Sequence, residues 1–340
     1  SGQIGGSRNK IINGAMVIDQ RNAGSAVNIS AGTTTYSLDR YAFFSGTTSA
    51  VATIQQDSSA PANFTNSLKI SVNTADASVA ADDRARITQR IEGYNFADLN
   101  YGSASARTLT LSFWVKSNLT DTFSVVFYNA ANNRMMLKTY TTEVANTWEQ
   151  KTITITGDTT GTWLKTNGNG INIAFNLMAG SSQQGTADSW QAAVGAYGTS
   201  SQANLFSSTS NTFYLTGVQL EVGSTATEFE SRSYGEELAL CQRYYYENPA
   251  IIGTGLGSTT IARATGSHPV AMRSAPTVTV SNAVQFFNGG ASLVCTGSLT
   301  NYSTTTVYNA DLSTNAANTS GYACCIVSPP TGKITVSSEL

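Results

Sequence analysis

The stretch Asn211–Glu247, NTFYLTGVQLEVGSTATEFESRSYGEELALCQRYYYE, decides how the chain is read, because a strand, a domain edge and a helix signal follow one another within it. From Phe213 to Val222, β-branched, aromatic and aliphatic residues alternate with polar ones, and Gly217 stands where a bulge would shift the alternation. That pattern is a closing strand. Ser233 then precedes Glu236 by three residues, the spacing at which a hydroxyl and a carboxylate satisfy each other's backbone amides at a helix start. A helix over residues 234–247 is predicted. Glu236 and Glu237 suit the positive end of its dipole, Arg243 the negative end, and Pro249 lies just beyond. Leu238, Cys241 and Tyr245 would share one face.

Working outward, the 340 residues exceed the roughly 250 to 300 that one hydrophobic core serves, so two domains are expected. Charged residues make up only 12%, against roughly 25% in ordinary globular proteins, and Ser, Thr, Asn and Gly fill the deficit. The surface must be polar but uncharged. A formal net charge of -2 provides no electrostatic footprint for nucleic acid or an anionic membrane. No apolar run approaches the roughly 20 residues of a membrane span, and the first residues, SGQIGGSRNK, lack an apolar signal core. The expectation is a soluble chain, whole or a fragment, without nucleic-acid binding or membrane insertion. Cys241, Cys295, Cys324 and Cys325 all lie in the last third, so no disulfide framework spans the N-terminal part. Adjacent Cys324 and Cys325 would point to opposite faces of a strand, one of them a small buried hydrophobe.

Short alternating runs recur before the junction: SLKISVN, RITQRIEG, TLTLSFWVKS, FSVVFYNA, WEQKTITITG, INIAFNLMA and NTFYLTGVQLEV. This is an all-β pattern. Leu109, Leu111, Phe113 and Val115 face one way while Thr110, Ser112, Trp114 and Lys116 face the other, and Leu68, Ile70, Val72 and Ile171, Ile173, Phe175, Leu177 repeat that division. Two sheets packed by their apolar faces make a sandwich. Seven or more strands with long connections and no repeat of about 40 residues favour a jelly roll over a propeller. Residues 179–210 show neither period and are too long for an ordinary connection, yet Trp190, Tyr197 and Phe206 argue against disorder. After Pro249, APTVTVSNAVQFF, ASLVC, TTVYNADL, YACCIVS and KITVSSEL supply strands for a small sandwich. The expected fold is an all-β jelly-roll β-sandwich, a short linking helix and a small C-terminal β domain. The expected boundaries are 1–8 for an extension, 9–232, 233–248 and 249–340.

Several phrases resemble the C-terminal regions of bacteriophage tail fibre and receptor-binding proteins: GGSRNKIINGAMVIDQRNAG with SLDRYAF, ITQRIEGYNFADL, NTWEQKTITITGDTTGTW, FYLTGVQLEVGSTATEFESRSYGEELALCQRYY and HPVAMRSAPTVTVSN. LTLSFWVKS and FYLTGVQLE also resemble strands of jelly-roll carbohydrate-binding modules. The resemblance implies a homotrimeric adhesin on the virion, exposed extracellularly during host attachment, that joins other tail proteins and contacts host cell-surface glycans. Such modules often hold a structural calcium between an acid near the first strand and an Asp in the closing strand. Here INGAM has no acid and Gly217 takes the closing position, leaving Asp19 and Glu221 as thin support for a cation of six to eight oxygen ligands. No metal and no other cofactor are expected.

Enzymatic readings are sparse. The lone histidine, His268, precedes Pro269 in a loop-like stretch, and a packing histidine meets fewer demands than a catalytic base. Glycoside hydrolysis needs only two carboxylates, for which Asp82, Asp83, Asp158, Asp188 and Glu92 are candidates without a spacing signal. No catalytic residue is expected.

Sugar binding needs aromatic faces beside amide, hydroxyl or guanidinium groups. Two places offer them. One is a polar sheet face with Trp114, Tyr128, Arg90 and Lys116; the other is the long segment with Trp190, Tyr197, Gln183, Gln184 and Asp188, joined by Trp163. Against this stand packing roles: Trp114 under a covering segment, Trp190 as an anchor for its loop, and Tyr244, Tyr245 and Tyr246 at a domain or threefold contact. The reading is a non-enzymatic receptor-binding adhesin for host carbohydrate. Its alternatives are a structural assembly or capping component of the fibre and a polysaccharide depolymerase.

Overall fold

The computed structural model describes residues 7–340 apart from 30, 33, 47–48, 193–194, 248–251, 256–260, 282–283, 289–290, 302, 315–322 and 328–332. Pro249 therefore lies outside the described residues, as do the side chains of Cys295, Cys324 and Cys325. The chain divides into two compact units, Ser1–Tyr234 and Gly235–Leu340.

The N-terminal unit holds β1 (Val27–Ile29), β2 (Thr34–Leu38), β3 (Tyr41–Ser45), β4 (Val51–Asp57), β5 (Ser67–Thr74), β6 (Arg84–Glu92) and the one-turn helix α1 (Gly93–Phe96). It continues with β7 (Leu109–Ser117), β8 (Thr122–Asn129), β9 (Met135–Thr141), β10 (Glu149–Ile155), β11 (Asn169–Ala179), β12 (Trp190–Gln191) and β13 (Thr212–Val222). Two antiparallel sheets result, one ordered β1-β4-β5-β13-β7-β10 and the other β12-β9-β8-β11-β6-β3-β2. From β5 onward, β5, β7, β10 and β13 lie in the first sheet and β6, β8, β9 and β11 in the second, so the chain crosses between layers at nearly every step. This is a jelly-roll sandwich.

Alternation sets the core. Leu109, Leu111, Phe113 and Val115 are fully buried, as are Ile171, Ile173 and Leu177. Phe113 and Phe175 meet between the layers edge to face, centroids 5.1 Å apart. The closing strand β13 pairs with both β5 and β7, and its register shifts between Thr216 and Gln219, where Gly217 takes φ +59°. That is the expected bulge, in a left-handed conformation that favours glycine.

A strap before β1 is stitched onto β13. Buried Asn9 donates through Nδ2 to the Val218 carbonyl at 3.1 Å and accepts at Oδ1 from the amides of Ile11 (2.9 Å) and Leu220 (3.0 Å). Glu230 accepts from the amides of Arg8 and Asn9 at 3.0 and 2.7 Å. Three hydrogen bonds on one buried amide supplement the two backbone bonds, Lys10 amide to Leu220 carbonyl and Val218 amide to Gly14 carbonyl, that tie this irregular segment to β13.

In the C-terminal unit the helix α2 (Tyr234–Gln242) stops earlier than the sequence predicts. The amide of Tyr244 bonds the Cys241 carbonyl at 2.9 Å, and β14 (Tyr245–Glu247) then pairs with β22 (Lys333–Ser337). Tyr244, Tyr245 and Tyr246 are all buried, which a helix could not achieve on one face because it spreads three successive residues over about 200°. A strand with aromatic preference wins, and Tyr245 leaves the Leu238–Cys241 face. The remaining strands are β15 (Ile252–Gly255), β16 (Ile261–Ser267), β17 (Thr277–Ser281), β18 (Val284–Asn288), β19 (Ala291–Asn301), β20 (Val307–Thr314) and β21 (Ala323–Val327). They form a closed barrel, β15-β16-β20-β19-β18-β21, beside a small sheet, β14-β22-β17, rather than the expected sandwich. Closure pairs the edges that a small open sheet would leave free.

His268 is a packing residue here. It is buried, its Nε2 lies 3.0 Å from the Thr304 carbonyl, and its Nδ1 meets the Tyr246 hydroxyl. The carbonyl can only accept, so Nε2 carries the proton and Nδ1 accepts from Tyr246. Burial lowers the imidazole below its ordinary 6.5, outweighing backbone hydrogen bonding. A depressed value gives stability present above the unfolded-state pKa and lost as pH falls through the folded one. Amide exchange in β14 and β22 is therefore expected to quicken as pH falls below about 6.5, beyond the intrinsic pH trend, and this excess to vanish in His268→Gln.

Candidate functional site

The two outer faces of the sandwich carry different aromatic and cationic sets. Trp114 and Lys116 stand on β7 in the six-stranded sheet, whereas Arg90 on β6 and Tyr128 on β8 stand on the seven-stranded sheet. The expected single face bearing all four is thus corrected. Alternation tells inward from outward residues, but which layer a strand joins is set by the crossovers. Trp114 is half-buried, and a Cβ at Gly217 would stand 2.9 Å from its ring and 2.7 Å from Phe64, so it packs beside the segment before β5.

On the seven-stranded face, Asn172 of β11 pairs with Arg90 on one side and Tyr128 on the other, making the row Arg90–Asn172–Tyr128. Asn176 pairs with Arg86 and Ser124 in a parallel row, which Phe44 of β3 extends. The Arg86 guanidinium lies between two rings, 4.5 Å from the centroid of Phe44 and 4.2 Å from that of Tyr197. Cation–π contact and planarity make arginine suited to that slot. Tyr197 meets Tyr128 edge to face at 6.2 Å. Arg86, Arg90, Phe44 and Tyr128 remain half-buried, Tyr197 is buried, and burial raises the Tyr128 hydroxyl above its usual range. The result is a partly exposed surface of guanidinium, phenol and ring edges, with the Asn172 and Asn176 amides buried beneath it.

Part of this face is covered by the segment between β11 and β13. Ala187 and Ala196 pack on Val126, Met135 and Leu137, and Gln202 Nε2 donates to the Asn176 carbonyl at 3.2 Å. β12 adds Trp190 to the edge of β9 opposite Met136. The Trp190 indole donates to the Thr156 carbonyl at 2.8 Å, and its ring meets Trp163 at 5.5 Å and Tyr101 at 5.9 Å, both edge to face. Trp163, only 5% exposed, donates to the Thr160 carbonyl at 3.1 Å and packs on Phe96 and Tyr101. Trp163 does join Trp190, but inside a packed aromatic box rather than as an open platform. Trp190 anchors its loop.

The box is tied down by Asp158, whose carboxylate takes Arg134 Nε and Nη2 at 2.7 Å each and the Thr160 amide and hydroxyl at 3.1 Å each. Burial alone would raise this carboxyl, yet Arg134 and Thr160 together hold it below its usual range. Asp188 is exposed and pairs with Lys138 at 2.8 Å; Gln184, half-buried, donates to the Ala179 carbonyl at 3.1 Å; Asp83 accepts from the Ala80 amide at 2.8 Å. Asp19 caps the amides of Asn22 and Gly24, while Glu221 is taken up by Thr227, Gln219 and, at 3.5 Å, Arg8. Among the described residues no three His, Cys, Asp or Glu side chains are grouped to hold a metal.

Reading the sequence missed Arg86, Phe44 and Asn172 on the seven-stranded face, and Trp148 and Tyr214 on the other. Arg84, Arg86 and Arg90 share the outward parity of β6, a signal present in RARITQRIE.

No family model matches the chain, and no curated protein matches it. Among solved structures it is similar to the enzymatically active domain of bacteriophage CBA120 tailspike protein 4, at 15% identity and a TM-score of 0.32 over 64% of this chain, spanning 22% of that one. It is also similar to the carbohydrate-binding module TmCBM61 in complex with β-1,4-galactotriose, at 9% identity and TM-score 0.32, covering 64% of this chain and 100% of the module. The family 11 carbohydrate-binding module from Clostridium thermocellum, in complex with a β-1,3-1,4-mixed-linked tetrasaccharide, is similar at 11% identity and TM-score 0.31, over 59% and 98% of the two chains.

Proposed function

We propose that the chain is a non-catalytic receptor-binding adhesin that recognises host cell-surface carbohydrate on the outer face of the seven-stranded sheet. The observation that carries this is the pair of rows Arg90–Asn172–Tyr128 and Phe44–Arg86–Asn176, with Arg86 held between Phe44 and Tyr197. Ring surface for the C–H face of a sugar lies beside guanidinium groups for its hydroxyls, on strands whose buried Asn172 and Asn176 amides hold the rows together. Three facts support the absence of catalysis. Glu92, the one acid on the outward parity of β6, is buried, and the outward residues of β8 and β11 include no Asp or Glu. Asp158 is committed to Arg134, and Asp83 to a backbone amide. Glycoside hydrolysis needs two carboxylates across one gap.

The virion setting rests on the resemblance of phrases such as NTWEQKTITITGDTTGTW to tail fibre proteins. On this reading the chain works as a trimer, several shallow sites combine on one particle, and avidity supplies what each site lacks. The rival reading, a fibre component that only assembles or caps, gains from Trp163 and Trp190 serving packing. A glycan array probed with the full chain, followed by a reducing-end assay on the captured sugar, separates them. Capture without release of reducing ends is expected. Capture of a protein receptor from host envelopes with no carbohydrate retained would overturn the adhesin reading, and release of reducing ends would establish a depolymerase.

A further inference from the structure

The opposite outer face carries a second arrangement that the seven-stranded site does not use. Tyr214 of β13 pairs with Lys69 of β5 on one side and Lys116 of β7 on the other, and Trp148 precedes β10, whose first residue Glu149 pairs with Val115. One line across three strands, ending at the residue before β10, therefore reads Lys69, Tyr214, Lys116, Trp148. The Lys116 ammonium lies 4.0 Å from the Tyr214 centroid and 5.2 Å from that of Trp148, in the corner of two rings that meet at 68° with centroids 6.1 Å apart. Lys69 lies 5.5 Å from the Tyr214 centroid. All four side chains are half-buried, so the corner is open to solvent on one side.

The charges in this line do not balance. Lys69 has a carboxylate, Asp57, at 3.3 Å. Lys116 has none within 4.0 Å among the described residues; its one hydrogen bond goes to Ser59 Oγ at 2.7 Å. An ammonium has three protons to give, and the two rings are weak acceptors for the rest. Burial lowers Lys116 below the usual lysine range, Asp57 draws it back up, and Lys69 pushes it down further. A cation held this way gains most from an incoming anion, through a charge-assisted hydrogen bond that a neutral hydroxyl cannot match.

We propose that Trp148, Tyr214 and Lys116 form a saccharide subsite selective for carboxylate-bearing, uronate-type sugars, separate from the seven-stranded face. The sugar ring lies on the exposed part of Trp148, and its carboxylate accepts from Lys116, with Lys69 adding longer-range attraction. A single ammonium suits one carboxylate oxygen, in contrast to the arginine forks of the other face. The subsite stands on its own residues, so it survives or fails independently of the adhesin reading.

Calorimetric titration of the full chain with tetragalacturonate and with its methyl ester, the same backbone without charge, tests this. The expected result is binding of the free acid at least about tenfold tighter than of the ester, weakening as salt is raised. Lys116→Gln and Trp148→Ala should each weaken the acid about tenfold at unchanged melting temperature, while Tyr128→Ala on the other face leaves it unchanged. Trp148→Phe, which keeps a ring, should retain most of the binding and guards against a folding defect in the alanine variant. Equal affinity for acid and ester, insensitivity to Lys116→Gln, loss with Tyr128→Ala, or no binding of tetragalacturonate would each overturn the proposal. Tighter binding of a sulfated galactan than of the uronate would overturn the carboxylate assignment.

Discussion

Asp158→Ala is expected to destabilise the N-terminal unit by about 3 kcal/mol, the lower end of what removing one partner of a buried ion pair costs. Asp158 is 2% exposed, while Arg134 is 17% exposed at its side chain, so the stranded guanidinium regains some water and the cost stays near that end. The Thr160 amide loses its acceptor as well. The same turn supplies the Thr156 and Thr160 carbonyls that hold Trp190 and Trp163, so the loop over the seven-stranded face should loosen together with the box. All four tryptophans, Trp114, Trp148, Trp163 and Trp190, lie before residue 235, which makes tryptophan fluorescence in a urea titration of the full chain a readout of this unit alone.

The charge also makes a pH prediction. Asp158 is held below its ordinary 3.8, so its contribution is fully present above that value and is lost as pH falls through the folded-state pKa. Wild type should lose this part of its stability only in acid below about pH 4, and Asp158→Asn should lack it at every pH. A variant as stable as wild type at pH 7 would show that Arg134 is satisfied without the carboxylate.

Asn9→Ala is the second large effect, expected at about 3 kcal/mol from three lost hydrogen bonds at roughly 1 kcal/mol each. The residue is buried, and the substitution leaves the Ile11 and Leu220 amides and the Val218 carbonyl without it. Asn9→Asp should be at least as damaging, since it sets a carboxylate oxygen against the Val218 carbonyl where Nδ2 donated. Gly14 works on the same seam: its carbonyl accepts from the Val218 amide at 2.9 Å, and a Cβ there would stand 2.2 Å from the Val218 oxygen. The urea titration applies again, with hydrogen exchange at Val218 and Leu220 showing that the strap, not the sheets, has let go. Unchanged exchange there would contradict the role given to Asn9.

Strands with clean alternation were legible in the sequence: β5, β7, β11 and β13 run within a few residues of where the apolar period places them, and Gly217 marks the bulge. Others were not. β3 is buried at four of five positions and offers no alternation, β9 opens on Met135, Met136 and Leu137 without β-branching, and β12 is two residues long. The helix end failed because tertiary pairing with β22 overrode the helical reading of Tyr245–Glu247. For the site, side-chain type pointed to Arg90, Tyr128 and Tyr197, which the fold does bring together, whereas Trp114 was assigned to the wrong layer. Trp163 was chosen as an aromatic and is buried as one. Nothing local to a tryptophan tells a platform from an anchor, because that depends on which carbonyl its indole N–H finds.

The most direct test of carbohydrate recognition on the seven-stranded face is the affinity of the array-captured glycan for the full chain and for Tyr128→Ala and Arg86→Ala, measured by calorimetry beside the tryptophan-monitored urea titration. The expected result is a loss of at least about tenfold in each variant, roughly 1.4 kcal/mol, with the Trp148→Ala variant unchanged for a neutral sugar. Affinity unaltered by both substitutions, in proteins of unaltered stability, would contradict the account.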